Sequence, residues 1–293
     1  MDEMKEAITQ ASVDRMEPLT PLYTAHLFGP LHQQLVELLE GLDPADWERP
    51  TMAPAWRVRD VAAHLVEVDL RRLSVGRDGH RLEPGRPIDG YRDLVEFLNQ
   101  LNAEWVAAAR RFSPRVLVEL LRYSGSEMAR MVAELPQHDP APFAVDWAGE
   151  RRSENWFDIG RDYTERWHHQ MQIRDAVGAS GLLDERWLLP LLDLSVRCLP
   201  RSYAGVGAAP DTTVVLHVLV AAAAVWTLRM EQGTWRLWRG ASAAPTTAVR
   251  LDPDAAWRMF YNALSPAEAR RRATVDGDAA LAEPLFSARA VMV

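Results

Sequence analysis

The feature that most limits how this chain can fold is a change of hydrophobic period near residue 180, from apolar residues three and four apart to apolar residues at alternate positions. A helical repeat buries one stripe and an alternating repeat buries one face of a strand, so the two stretches demand different architectures. Leu27, Leu31, Leu35, Leu38 and Leu42 set a first helical pattern from Pro21, which Asp43-Pro44 stops. VRDVAAHLVEVDLRRLSV repeats the spacing after the connector WERPTMAPAW, and YRDLVEFLNQLNAEWVAAARRF does so after the Gly/Pro-dense loop RDGHRLEPGRPIDG. Ser113 is a natural N-cap with Pro114 at the first helical position, opening a fourth helix that runs to Leu135. A fifth begins at Ser153 and runs to Val177, where Gly178 stops it. The Pro-rich residues 136–152 between them hold an extended-looking piece, FAVDWAG.

After one more helix, at 184–203, the character changes to β-like runs: TTVVLHVL, AVWTLRM, TWRLWRG and TTAVRLD. EQG between the second and third is a hairpin signal, with the Gly at positive φ. PDAAWRMFYNAL, a start at Ser265-Pro266 and DAALAEPLF give three short helices. A chain of 293 residues exceeds the usual single domain, so the expectation is an α+β protein in two parts: an antiparallel helical bundle over 1–180 and an α+β domain over 181–293.

Composition removes several functions. Apolar residues at 48% and charged residues at 25% are the balance of a globular protein. The net charge of −8, with no Lys/Arg stripe, argues against nucleic acid as a partner. Cys198 is the sole cysteine, so no disulfide and no thiolate metal cage forms within the chain, and its apolar context LDLSVRCLP makes it a core residue. The start MDEMKEAITQ is acidic and lacks the form of a signal peptide, and the longest apolar run, VLHVLVAAAAVWTL, is too short to span a bilayer. A cytoplasmic protein with no membrane association is expected, and its oligomeric state is left open.

The fifth helix carries Asp158, Asp162, Glu165, His169 and Gln172 in one row, opposite Trp156, Ile159, Tyr163, Trp167 and Ile173. A solvated helix face is the ordinary meaning of such a row. Glu165 and His169, however, stand four apart, the spacing that lets two side chains of one helix grip one ion. His64 follows Val61, Ala62 and Ala63 on the second helix and is the natural third ligand, although a lone histidine there is more often a core residue. Two imidazoles and a carboxylate suit zinc, with nickel, iron or manganese as alternatives, and leave a coordination position open for water or substrate. His168 points about 100° away from His169 and is read as a partner or surface residue. No HExxH pair, glycine-rich phosphate loop or lipase-type elbow competes.

WRVRDVAAHL and, downstream, ERWHHQMQIRDAVG resemble the N-terminal domain of mycothiol-dependent maleylpyruvate isomerases, members of the DinB-like metalloprotein superfamily. The ending SPAEARRRATVDGDAALAEPLFSARAVMV looks like the same family's C-terminal α+β domain, related to sterol-carrier-type folds. The resemblance implies a DinB-like four-helix bundle, a divalent ion, usually zinc, on His64, Glu165 and His169, and the thiol mycothiol as co-substrate. Where the family has an acidic residue before the IR dipeptide, this chain has Gln172. The expected activity is that of an isomerase or S-transferase that adds a thiolate to a small electrophilic substrate. A metal-dependent hydrolase, with Asp162 as its base, and a non-catalytic metal or ligand carrier are the alternatives.

Trp56, Arg72, Asn102 and Trp105 are candidate substrate contacts at the bundle mouth, each with an ordinary role in packing or solvation as the alternative. Arg229, Arg236 and Arg239 fall on the β-ribbon, where exposed strand charge is the usual role. One of them could clamp a substrate carboxylate if that domain covers the metal cleft.

Overall fold

The computed structural model describes residues 16–292, so the acidic N-terminal stretch read above lies outside the described residues. The chain is α+β and divides into two compact units. One holds Tyr23–Asp146 and Arg151–Gly181; the other holds Leu182–Met292, Trp147–Glu150 and the segment ending at Leu22.

The first unit contains α1 (Phe28–Glu40), α2 (Val58–Gly76), α3 (Tyr91–Ala109), α4 (Pro114–Glu134) and α5 (Asn155–Val177). α1 starts later than its apolar pattern suggests. Pro30 fits only the first turn of a helix, where its missing N–H costs no hydrogen bond, and Ala25–Leu27 form a 3-10 turn instead. The α4 start follows from its cap, with the Ser113 hydroxyl accepting from the Val116 N–H at 3.4 Å. α5 ends as expected at Gly178, which takes φ 70°. The α2 start is pinned by Asp60, whose carboxylate accepts from the Arg57 N–H at 3.1 Å and pairs with Arg110 at 3.2 Å.

α2 packs against α3, α4 and α5, and α1 packs against α4 and α5. Val58, Val61, Ala62, Leu65 and Val66 of α2 are fully buried, so this helix is the axis of the bundle core. At roughly 1.5–3 kcal/mol for each large aliphatic side chain fully buried, that core fixes where His64, on the same helix, must stand. Gly125 of α4 lets α1 approach, because a Cβ there would lie 2.2 Å from the ring of His32.

The second unit is a six-stranded mixed sheet in the order β1-β4-β3-β2-β5-β6, with helices packed on it. Its strands are β1 (Glu17–Pro18), β2 (Thr213–Val218), β3 (Val225–Glu231), β4 (Thr234–Arg239), β5 (Thr247–Leu251) and β6 (Thr274–Gly277). β2 and β5 pair in parallel and every other pair is antiparallel. The β3–β4 turn places Gln232 at φ 50° and Gly233 at φ 79°, a turn whose twist matches the strands it joins.

The single helix expected at 184–203 is broken into α6 (Glu185–Ser195), a 3-10 turn at Val196–Cys198 and α7 (Leu199–Ser202), since Pro200 has no N–H to continue the ladder. FAVDWAG is not extended throughout: Asp146–Ala148 form a 3-10 turn around buried Trp147. The last three helices are α8 (Pro253–Phe260), α9 (Pro266–Arg272) and α10 (Ala279–Phe286). Cys198 is buried, and burial pushes its thiol up to about 12, so it is not a nucleophile at neutral pH. No helix among the described residues is long and apolar enough to cross a membrane.

Candidate metal centre

Almost the whole polar row of α5 is buried rather than wet: Asp158, Asp162, His169 and Gln172 are all buried, together with Arg166 and His168. The expectation of a solvated face fails because α1 and α2 both pack on this helix. The row divides into two clusters with different chemistry.

At the C-terminal half of α5, Glu165 and His169 meet His64 of α2. Glu165 Oε1 lies 3.1 Å from His169 Nε2 and 3.3 Å from His64 Nε2, and the two imidazole centroids are 4.6 Å apart. One ligand atom from each of the three residues falls within 4.8 Å of the other two. The histidine side chains are 3% and 8% exposed and that of Glu165 is 25% exposed, so the cluster opens on the glutamate side. Trp56 walls the other side, its ring 4.8 Å from His64 and 6.0 Å from His169.

With both rings neutral and protonated on Nδ1, these atoms are all acceptors. His169 Nδ1–H donates to the Gln172 amide oxygen at 2.9 Å, which leaves Nε2 with its lone pair toward Glu165. Burial, opposed by the contact with Glu165, brings His64 down to about 4, so its ring is neutral at pH 7, the form that ligates metals. Burial alone would raise the Glu165 carboxyl; without a metal, imidazoles that carry a proton on Nε2 meet it with the charge of His169 and hydrogen bonds from His169 and His64, which outweigh burial and hold the group well below the usual range. A proton relieves only one of these contacts at a time. A cation at the centre relieves all of them, so the donor set fits a divalent ion with two nitrogens and one carboxylate oxygen.

The N-terminal half of α5 closes on itself. Arg72 of α2 reaches Asp158 at 2.8 Å and Asp162 at 2.6 Å, and Arg161 reaches the same two carboxylates at 2.7 and 2.9 Å. Arg72 also lies over the Phe143 ring at 5.4 Å. Arg72 is therefore committed to two buried carboxylates rather than exposed at a mouth, and Asp162 is held between two guanidiniums and does not join the triad. Arg166 pairs with Asp69, which also accepts from Ser124 at 2.9 Å.

Trp105 is an anchor of the α2–α3 contact, its indole N–H donating to the Ala63 carbonyl at 2.7 Å. Asn102, one turn earlier on α3, keeps a buried Oδ1 with no hydrogen-bond partner. His168 donates from Nδ1 to the Thr164 carbonyl at 3.0 Å, and burial, followed by the charge of His169, lowers it to about 3. In the second unit Arg229 pairs with Asp211 at 2.5 Å, Arg239 with buried Asp193, and Arg236 with Glu231 at 3.6 Å. Sequence reasoning missed Glu67 and Arg71, which carry buried, unpartnered polar atoms on α2. The available signal was position, since Glu67 lies three residues after His64 on one helix face.

A family model described as the mycothiol maleylpyruvate isomerase N-terminal domain matches residues 28–174, a span that includes the whole triad. Two solved structures, of the mycothiol-dependent maleylpyruvate isomerase and of a point variant of it, each align with a TM-score of 0.53 at 13% identity. Each alignment covers 86% of this chain and 91% of the other. At that identity the likeness shows the fold. No curated protein matches the chain.

Proposed function

The chain belongs to the family of the mycothiol maleylpyruvate isomerase N-terminal domain, and from that premise we propose that it is a zinc- and mycothiol-dependent enzyme, an isomerase or S-transferase acting on a small electrophilic substrate. The observation that carries this reading is the convergence of His64 Nε2, His169 Nε2 and a Glu165 oxygen, acceptors all, on one point. A divalent ion held there supplies positive charge that favours the thiolate form of a co-substrate thiol, the nucleophile that such an enzyme adds to an electrophilic carbon. Three protein ligands would leave such an ion a position for that thiol, and the partly exposed Glu165 side would be the approach.

The chain's own residues supply the rest. Gln172 fixes the tautomer and orientation of His169. A neutral amide there pulls less on the ring proton than the carboxylate usual in the family, so His169 would be a weaker donor to an ion than its counterpart and would leave that ion more electrophilic. Trp56 keeps bulk water from the imidazole side. With Asp162 committed to Arg72 and Arg161, the hydrolase alternative lacks the base it would need. A cytoplasmic setting, where such a thiol is held reduced, goes with this reading.

Cobalt substitution tests it. Addition of mycothiol to the cobalt-loaded protein is expected to produce sulfur-to-metal charge-transfer bands. A cobalt spectrum that mycothiol leaves unchanged would point to a carrier or to water-based chemistry instead.

A further inference from the structure

Beside the triad, three buried polar atoms have no hydrogen-bond partner: Glu67 Oε2, Arg71 Nη1 and Asn102 Oδ1. We propose that Glu67, Arg71 and Asn102 bind the hydroxyl-rich, uncharged part of the thiol co-substrate, an inference that rests on the thiol-dependent function proposed above.

The three residues lie along one line leading away from the metal ligands. Glu67 and Arg71 follow His64 on α2 by three and seven residues, which is about 4.5 and 10 Å along the helix axis. α3 runs antiparallel to α2 here, since Arg110 meets Asp60 and Trp105 meets Ala63. One turn before Trp105 therefore brings Asn102 to the level of Glu67. Burial raises the Glu67 carboxyl, Arg71 draws it down, and the charge of Glu165 raises it again, so Glu67 lies within electrostatic reach of the triad.

The charges select the ligand. Glu67 and Arg71 pair at 3.1 Å and cancel, so neither an anion nor a simple cation gains from docking on them. What remains is two acceptors and one donor, each costing about 1–3 kcal/mol if left dry and unpaired. A hydroxyl donates to a carboxylate or amide oxygen and accepts from a guanidinium, so a row of hydroxyls satisfies all three atoms. Arg72, one residue further, also has a buried Nη1 without a hydrogen-bond partner, but its Nη2 and Nε are held by Asp158 and Asp162, so it belongs to the closed cluster. A thiol at the triad with a polyol tail running along α2 matches both the spacing and the chemistry.

The test is calorimetric titration of the zinc-loaded full chain with mycothiol and with N-acetylcysteine, which has the acylated cysteine of mycothiol and lacks its sugar and cyclitol. Wild type is expected to bind mycothiol at least tenfold more tightly than N-acetylcysteine. Asn102→Leu and Arg71→Met are expected to weaken mycothiol about tenfold or more, leaving zinc content and N-acetylcysteine affinity unchanged. Retained zinc also reports that each variant is folded. Equal affinity of wild type for the two thiols, unchanged mycothiol affinity in both variants, or equal weakening of both thiols would overturn the inference. Failure of zinc-loaded wild type to bind either thiol is a separate result, which removes the thiol-dependent function and this inference with it.

Discussion

Two buried polar clusters share the helix pair α2 and α5, and they solve the problem of buried charge in opposite ways. Around Asp158 and Asp162, two carboxylates meet two guanidiniums, Arg72 and Arg161, and the formal charges cancel within the protein. Around Glu165, acceptor atoms meet acceptor atoms, and the balance has to come from outside. Both clusters lie on the polar row of a single helix, and the row alone does not separate them. A closed cluster supports the fold, whereas one with unmet demand is kept at some cost in stability and marks the place where a ligand belongs.

The largest effect that would break this contrast is expected at Arg72. Arg72→Ala leaves two buried carboxylates with one guanidinium between them, and unfolding by denaturant should show a loss of about 3–5 kcal/mol. A loss below about 1 kcal/mol would mean the cluster is not structural. Next comes His32, a buried imidazole whose two ring nitrogens have no hydrogen-bond partner and which faces the Arg166 charge from α5 rather than a carboxylate. Burial, then Arg166, lowers it from 6.5 to about 4. Because the folded value lies below the unfolded one, its neutral form supports the fold above pH 6.5, and that support drains as pH falls toward 4, by about 3 kcal/mol in all. The difference in stability between wild type and His32→Leu, followed over that range, should carry this slope; parallel curves would refute it.

Smaller effects sharpen the other side of the comparison. Gln172→Ala frees the His169 ring and is expected to weaken metal binding by about 10–100-fold in a competition titration with a chelator. Glu165→Gln in the metal-free protein is expected to cost about 1 kcal/mol, well short of Arg72→Ala, since the side chain is one-quarter exposed and the amide keeps a hydrogen-bonding contact with the imidazoles. A loss comparable to that of Arg72→Ala would show that the triad, too, is closed.

Much of this was legible in the sequence, for local reasons. Ser113-Pro114 and Gly178 mark helix ends because capping depends on neighbouring residues alone, and Gly233 marks a turn for the same reason. β6 was not legible: Thr274–Gly277 is four residues long and pairs only with β5, so it has little pattern of its own. The Glu165–His169 spacing is a property of one helix, and His64 stands out by interrupting an apolar stretch. Which helix faces α5 is a tertiary fact. For that reason Arg72 reads in sequence as a candidate at the mouth, and only packing reveals that it locks Asp158 and Asp162. The same holds for Glu67, whose unmatched oxygen appears only once packing has buried it.

Metal content tests the central claim most directly. Elemental analysis of purified wild type beside His64→Ala and His169→Ala is expected to find about one divalent ion per chain in wild type, with zinc the main species, and almost none in either variant. Wild type without metal, or variants that keep it, would contradict the reading of His64, Glu165 and His169 as one metal centre.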